Sequence, residues 1–258
     1  MDKENWTEAG AFEWTRDGET KIFEFTDHPT ARYLRIDITS AVGGYGSGRE
    51  LYVFKVPGTE SYRPGDINND RLIDMNDFTS YMNYTGLRQG DADFEGYVSN
   101  GDINRNGLID AYDISVVATQ LRGGAQKTKD DQATGTLKLS TAKQNYNQGE
   151  WIEVRVKGTN LHAVNALSFA LPYNQQDYEF VWTELLNMKE MENLTNDRLH
   201  TNGNKALYPT FVNVGDKATL EGNADLFILK FKAKRNLKFN LKIQDGILVD
   251  KNLHTHKF

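Results

Sequence analysis

Twelve residues starting at Asp66 carry oxygen-bearing side chains at loop positions 1, 3, 5, 9 and 12, namely Asp66, Asn68, Asp70, Asp74 and Asp77. Oxygens at that spacing, with the backbone carbonyl of Leu72 at position 7, converge on one hard cation, because calcium takes about 6 to 8 oxygen ligands at about 2.3 to 2.6 Å. The pattern returns 36 residues later at Asp102, Asn104, Asn106, Asp110 and Asp113, with Leu108 at position 7. Two matches in one register argue against coincidence, and two calcium ions are expected.

The two loops differ. Arg71 stands where the tight turn of such a loop wants glycine, whereas the second loop keeps Gly107. A non-glycine residue at positive φ costs on the order of 1 kcal/mol. Against this, the first loop has four carboxylates and the second three, Asn106 replacing an aspartate. Charge favours the first loop and turn geometry the second. Asp91, Asp93 and Glu95 form a further acidic cluster upstream of the second loop, and a solvated loop is the plainer reading of such a run.

These loops need elements to hold them. Ile114, Val117, Ala118 and Leu121 follow the second loop at i, i+3, i+4 and i+7, one face of a helix, and Phe78, Tyr81 and Met82 repeat the pattern after the first. Ile73 and Ile109 both occupy position 8, where paired loops exchange a short β-bridge. Before this module, Phe12–Thr15, Lys21–Thr26, Tyr33–Thr39 and Leu51–Val56 alternate as strands do. After it, the stretch Gly123–Thr134 is polar and small and reads as a linker. Strand patterns then return at Leu137, Trp151, Leu167, Leu226 and Phe239, joined by Asn/Gly turns. The expected organisation is residues 1–60 as a partial β segment, 61–124 as the calcium module, 125–134 as linker and 135–258 as a sandwich. The fold class is multi-domain and mainly β: a β-sandwich fragment, a small α module and an immunoglobulin-like β-sandwich.

Composition excludes several functions. With 36 acidic and 30 basic side chains the formal charge is −6, which gives no electrostatic footprint for nucleic acid. Cysteine is absent, so disulfides, thiolate metal sites and thiol catalysis are excluded. No run reaches the ~18 apolar residues of a membrane span, and no apolar signal core follows Met1, so the chain is either cytoplasmic or part of a longer secreted protein. No nucleophile elbow, zinc helix or phosphate loop is present, and the best-placed carboxylates are claimed by calcium, so no catalysis is expected from this chain. The glycines from Gly43 to Gly48 run into a strand and read as a turn. Trp6, Trp14, Tyr33, Tyr45 and Tyr52 offer flat faces for sugars, although packing is the commoner role. His254 and His256 read as a tail or a strand end.

The duplicated loop–helix unit, closing on aspartate at position 12 and lacking a long entering helix, resembles the dockerin family. That resemblance implies calcium-dependent folding and docking onto cohesin domains in polysaccharide-degrading assemblies. The partner-reading positions 10 and 11 would be Met75, Asn76, Ala111 and Tyr112, which depart from the Ser-Thr pairs common in cellulosomal dockerins. Residues 135–258, through Thr136-Leu-Lys-Leu-Ser, Tyr146-Asn-Gln-Gly149 and Ala166–Tyr173, resemble a cohesin-type sandwich, so one chain would contain both halves of a docking pair. Pairing in cis or in trans stays open. Ala31-Arg-Tyr-Leu-Arg-Ile with Gly43–Phe54 is similar to the last third of discoidin-like carbohydrate-binding domains. Together these imply a non-catalytic accessory region of a bacterial glycoside hydrolase that is secreted, periplasmic or at the cell surface, with glycans as a further ligand. The alternatives are a carbohydrate-binding module region and a calcium-responsive regulatory module.

Overall fold

The computed structural model describes residues 6–15, 17, 21–25, 33–44, 46, 51, 63–68, 70, 72–121 and 132–258. The chain divides into two compact units, Met1–Ser61 and Tyr62–Phe258. In the first, the described residues form no helix or strand, so the strands expected at Phe12–Thr15 and Tyr33–Thr39 are absent, as is the described part of Lys21–Thr26. Leu51–Val56 beyond Leu51, and residues 122–131, which include most of the expected linker, lie outside the described residues, as do Tyr45 and Tyr52. The reason for the missing strands is visible in the side chains: Ile22, Ile38 and Trp14 are 87%, 62% and 55% exposed. Apolar burial there is too small to hold a ladder. Its ring contacts are local, as where Trp14 stacks on Phe23 at 5.5 Å. The glycine stretch does turn, with Gly44 donating to Ala41 at 3.1 Å.

The second unit begins with helices α1 (Met75–Tyr84), α2 (Gly96–Ser99) and α3 (Ala111–Leu121). Each long helix starts where a loop ends, and the same side chains serve both. Asp74 caps α1 by accepting from the Asn76 amide at 2.7 Å, while Asp77 accepts from the Asp74 amide at 2.9 Å. This reciprocal box satisfies helix donors that would otherwise be orphaned and places carboxylates at the positive end of the helix dipole. Asp110 and Asp113 do the same for α3, at 2.8 and 2.9 Å. The apolar stripe of α3 is buried as expected, with Ile114 and Val117 fully covered. In α1, Phe78 and Tyr81 are buried but Met82 is 48% exposed, and Thr85, one turn beyond Tyr81, takes the inner position instead.

Thirteen strands follow: β1 (Thr134–Ser140), β2 (Asn145–Tyr146), β3 (Trp151–Val164), β4 (Ala166–Pro172), β5 (Tyr178–Leu185), β6 (Glu192–Asn193), β7 (Asn196–Leu199), β8 (Lys205–Tyr208), β9 (Thr210–Val212), β10 (Leu220–Ala233), β11 (Leu237–Lys238), β12 (Gln244–Val249) and β13 (Thr255–Lys257). One sheet runs β1-β3-β10-β5, the other β13-β12-β4-β8-β7, with β9 joining β4 to β6. All these pairings are antiparallel. Their inner faces meet in one apolar core containing Ile152, Val154, Leu167, Phe169, Phe211, Phe227, Phe231 and Leu248. This is a β-sandwich. On β3 the alternation is the one expected, Ile152, Val154 and Val156 inward between Trp151, Glu153 and Arg155. Two sequence expectations fail at the edges. Thr134 is the first residue of β1 and Ala133 is already buried, so the linker stops short of them; the strand expected from Phe239 reduces to Leu237–Lys238 paired with β2.

Candidate metal loops and docking face

The two loops share a set of backbone-to-side-chain hydrogen bonds. In the first, the Asp70 amide donates to Asp66 Oδ1 at 3.1 Å and Asn68 Oδ1 at 3.0 Å, and the Leu72 amide donates to Asp70 Oδ1 at 2.9 Å. In the second, the Asn106 amide donates to Asp102 Oδ1 and Asn104 Oδ1, both at 3.0 Å, and the Leu108 amide to Asn106 Oδ1 at 2.8 Å. Each loop thus curls around its own side-chain oxygens. Gly107 takes φ +83°, as its position demands; Arg71 lies outside the described residues. Among the described residues no three acidic or histidine side chains make a cation cage unaided. The donor sets are mixed, adding the amide oxygens of Asn68, Asn104 and Asn106 and the carbonyls of Leu72 and Leu108, which suits calcium and not zinc.

Electrostatics supports the fit. Burial, and then the Asp102 charge, push the Asp110 carboxyl up to about 6 from 3.8. Burial and the neighbouring Asp110 push Asp113 well above its usual range, and burial with Asp66 and Asp70 raises Asp77. Hydrogen bonds from loop groups and from the Tyr112 amide oppose this without cancelling it. Carboxylates held together at such a cost are a set that a divalent cation relieves. Without the ion these positions bind more protons folded than unfolded, so the stability that Asp110 contributes is present below about pH 4 and is lost as pH rises through about 6, with Asp77 and Asp113 acting in the same direction. In chelator the module is therefore expected to keep more of its helix at pH 4.5 than at pH 7, read by circular dichroism, and excess calcium should reverse that order.

Around the loops, the chain packs in a way the sequence pattern did not suggest. Ile109 does not exchange a bridge with Ile73. Instead its amide donates to the Leu87 carbonyl at 3.0 Å and its carbonyl accepts from Gly86 at 2.9 Å, with Arg88 bridging Leu108. Gly86 makes this possible, since φ +82° turns the chain back after α1. A Cβ on Gly86 would overlap the Tyr208 ring. Gly86→Ala is expected to combine backbone strain with that clash and to lower the melting temperature of residues 62–258 by several degrees, measured by calorimetry.

Tyr208 belongs to the sandwich, and the module is docked on it. Ile67, Phe78, Tyr81, Ile109, Ile114 and Val117 share one buried cluster with Ala166, Val212, Ile247 and Val249. Leu108 packs with Ala170, Ala206 and Tyr208. Strand β4 shows how this is built: Leu167, Phe169 and Leu171 point into the sandwich core, while Ala166, Ser168 and Ala170 meet the module. Small residues on that outer face let a helix approach closely.

Polar contacts rim the apolar patch. The Ala111 amide donates to Ser168 Oγ at 3.1 Å. The C-terminal carbonyls of α1 are capped from the sandwich, Arg198 donating to Thr85 at 2.6 Å and to Asn83, and Asn196 to Met82 at 2.8 Å. A guanidinium at a helix C-terminus also meets the negative end of its dipole. Arg88 donates to Tyr208 Oη at 2.8 Å and pairs with Asp245. Asp91, read from sequence as solvated, instead accepts from the Thr201 amide at 3.1 Å and lies 2.7 Å from Nδ1 of buried His200, whose Nε2 is 2.7 Å from Tyr208 Oη. The Arg88 amide and these partners hold the Asp91 carboxyl below its usual range despite burial.

The positions singled out for partner reading divide. Ala111 is fully buried and Tyr112 half-buried at this interface, whereas Met75 and Asn76 are exposed. His200, Arg198 and Ser168 were not anticipated; the available signal was that the outward positions of β4, β8, β9 and β12 are apolar or small. His254 lies 2.9 Å from Asp250 and His256 sits in β13, as a strand end.

Residues 64–122 match the dockerin type I domain family. Dockerin and cohesin-type domains are non-catalytic interaction modules, and type I dockerins bind calcium. No curated protein matches the chain. Among solved structures, the chain is similar to a cohesin module from a family 33 glycoside hydrolase of Clostridium perfringens (13% identity, 48% of this chain, 90% of that one, TM-score 0.38). A type I cohesin–dockerin complex from Clostridium thermocellum is similar at 11% identity over 50% of this chain and 90% of that one, TM-score 0.37. A cohesin from Clostridium acetobutylicum is similar at 19% over 45% and 81%, TM-score 0.37. No helix among the described residues is long and apolar enough to cross a membrane.

Proposed function

We propose that this chain is a calcium-dependent docking region in which the dockerin module is seated, in cis, on the chain's own cohesin-like sandwich. The carrying observation is Ala111: a position expected to read a partner is fully buried, with its amide on Ser168 of the same chain. Calcium organises each loop through Asp66, Asn68, Asp70, Leu72, Asp74 and Asp77, and through Asp102, Asn104, Asn106, Leu108, Asp110 and Asp113. Asp74, Asp77, Asp110 and Asp113 serve both the loops and the helix starts, so metal binding and helix formation are one event. Linking the two halves raises the effective concentration of one for the other to the millimolar range. In the wider reading, residues 1–60 are a discoidin-like remnant and the region is an accessory part of a secreted bacterial glycan-degrading enzyme. The supporting features are Ala31-Arg-Tyr-Leu-Arg-Ile and the partly exposed Trp14 and Tyr33.

Calorimetric titration of the chelated full-length chain tests the metal reading. Two calcium ions are expected, with one lost in Asp66→Ala and one in Asp102→Ala. Absence of calcium binding, or binding untouched by either change, overturns it.

A further inference from the structure

The loops are near-copies in sequence and internal hydrogen bonding, yet their surroundings differ at positions 7 to 10. Leu72 is 61% exposed and Leu108 7%; Met75 is 51% exposed and Ala111 fully buried. Asp74 is half-buried, while Asp110 is 4% exposed. The sandwich accounts for the contrast. Ala170, Ala206 and Tyr208 pack on Leu108, and Ser168 accepts from Ala111. On the other side, Arg88 bridges Leu108 while bonded to Tyr208 and Asp245. The Arg88–Leu108 bridge lies within the module, but its anchoring to Tyr208 and Asp245, like the packing on Leu108 and the Ser168 contact, exists only when the module is docked, so docking braces the second loop on both flanks.

We propose that docking selectively preorganises the second loop, so that the ion held by Asp102–Asp113 leaves more slowly than the ion held by Asp66–Asp77. The inference rests on the cis-docked reading above. Its physical basis is preorganisation and not occlusion, since Asn104 and Asn106 remain exposed and leave a route to water. What the sandwich fixes is the frame that supplies the position 7 carbonyl and the position 9 and 12 carboxylates. Letting go of the ion then requires either a strained loop or undocking, and a preformed site loses less conformational freedom on binding. Linkage makes the effect reciprocal: the ion in the second loop stabilises docking by as much as docking stabilises that ion. Ligand charge alone points the other way, because the second loop has three carboxylates and the first has four. The two accounts thus predict opposite orders.

The test is release of calcium from the loaded full-length chain into excess fluorescent chelator by stopped flow. Docking is read in parallel from the distance between spin labels at Asn76→Cys and Glu179→Cys. Two phases are expected. The slow one should vanish in Asp102→Ala and persist in Asp66→Ala. Ala170→Arg, or Ala206→Arg as a second wedge, should speed the slow phase roughly tenfold, equal to about 1.4 kcal/mol of coupling, wherever it abolishes the docked distance. A single phase, a slow phase belonging to the first loop, or a slow phase that survives loss of docking overturns the proposal while leaving cis docking intact. A chain that shows no docked distance in calcium overturns the docking reading itself.

Discussion

In excess chelator at pH 7, residues 64–122 are expected to leave the sandwich and lose their helices, while residues 134–258 keep their fold. The loops carry seven carboxylates between them, and three of these have their protonated forms favoured by burial and mutual repulsion. A ligand present at about 100 times its dissociation constant stabilises a folded state by roughly 2.7 kcal/mol per site. Two sites then contribute about 5 kcal/mol, comparable to the whole stability of a small domain. Little compensates for that loss inside the module, whose buried cluster is completed by Ala166, Val212, Ile247 and Val249 of the sandwich. Far-ultraviolet circular dichroism and limited proteolysis around Asp66 and Asp102 measure the effect. Unchanged helicity and protease resistance in chelator would count against calcium as the organising element.

The second large effect is expected from Ala170→Arg. Ala170 is fully buried against Leu108 and Tyr208, on the outer side of β4. An arginine there has no space in the docked chain, and an unpaired buried charge costs several kcal/mol, about 3 to 5 when a pair is broken. Once the module leaves, the same arginine stands on an open sheet face in water. The predicted outcome is separation without unfolding of the sandwich: calorimetry resolves one cooperative transition of the unsubstituted 62–258 unit into two. A single transition at lower temperature would instead mean that the change damages the sandwich core.

The loop–helix repeat was legible because the same oxygen-bearing spacing recurs in one register and because Asp at positions 9 and 12 also satisfies the helix N-terminus. Strand β3 was legible because one of its faces meets water. Strand β4 was read as a strand, but its two-sided burial was not interpreted: Ala166, Ser168 and Ala170 look like weak core positions until a helix is laid across them. Asp91 was misread because a carboxylate in an acidic run is usually solvated, and its partner His200 is 109 residues away. The Ile73–Ile109 bridge failed because Gly86 redirects the segment after α1 onto the second loop. Among the described residues of 12–39, apolar alternation gave no ladder, and Trp14, Ile22 and Ile38 stay exposed.

Cis docking is tested most directly by a distance. The chain has no cysteine, so spin labels at Asn76→Cys on the module and Glu179→Cys on the sandwich are specific, and pulsed dipolar spectroscopy reads their separation. With calcium, one narrow distance independent of protein concentration is predicted, broadening on chelation. A broad distribution in calcium, or a narrow one that appears only at high protein concentration, would contradict docking within the chain.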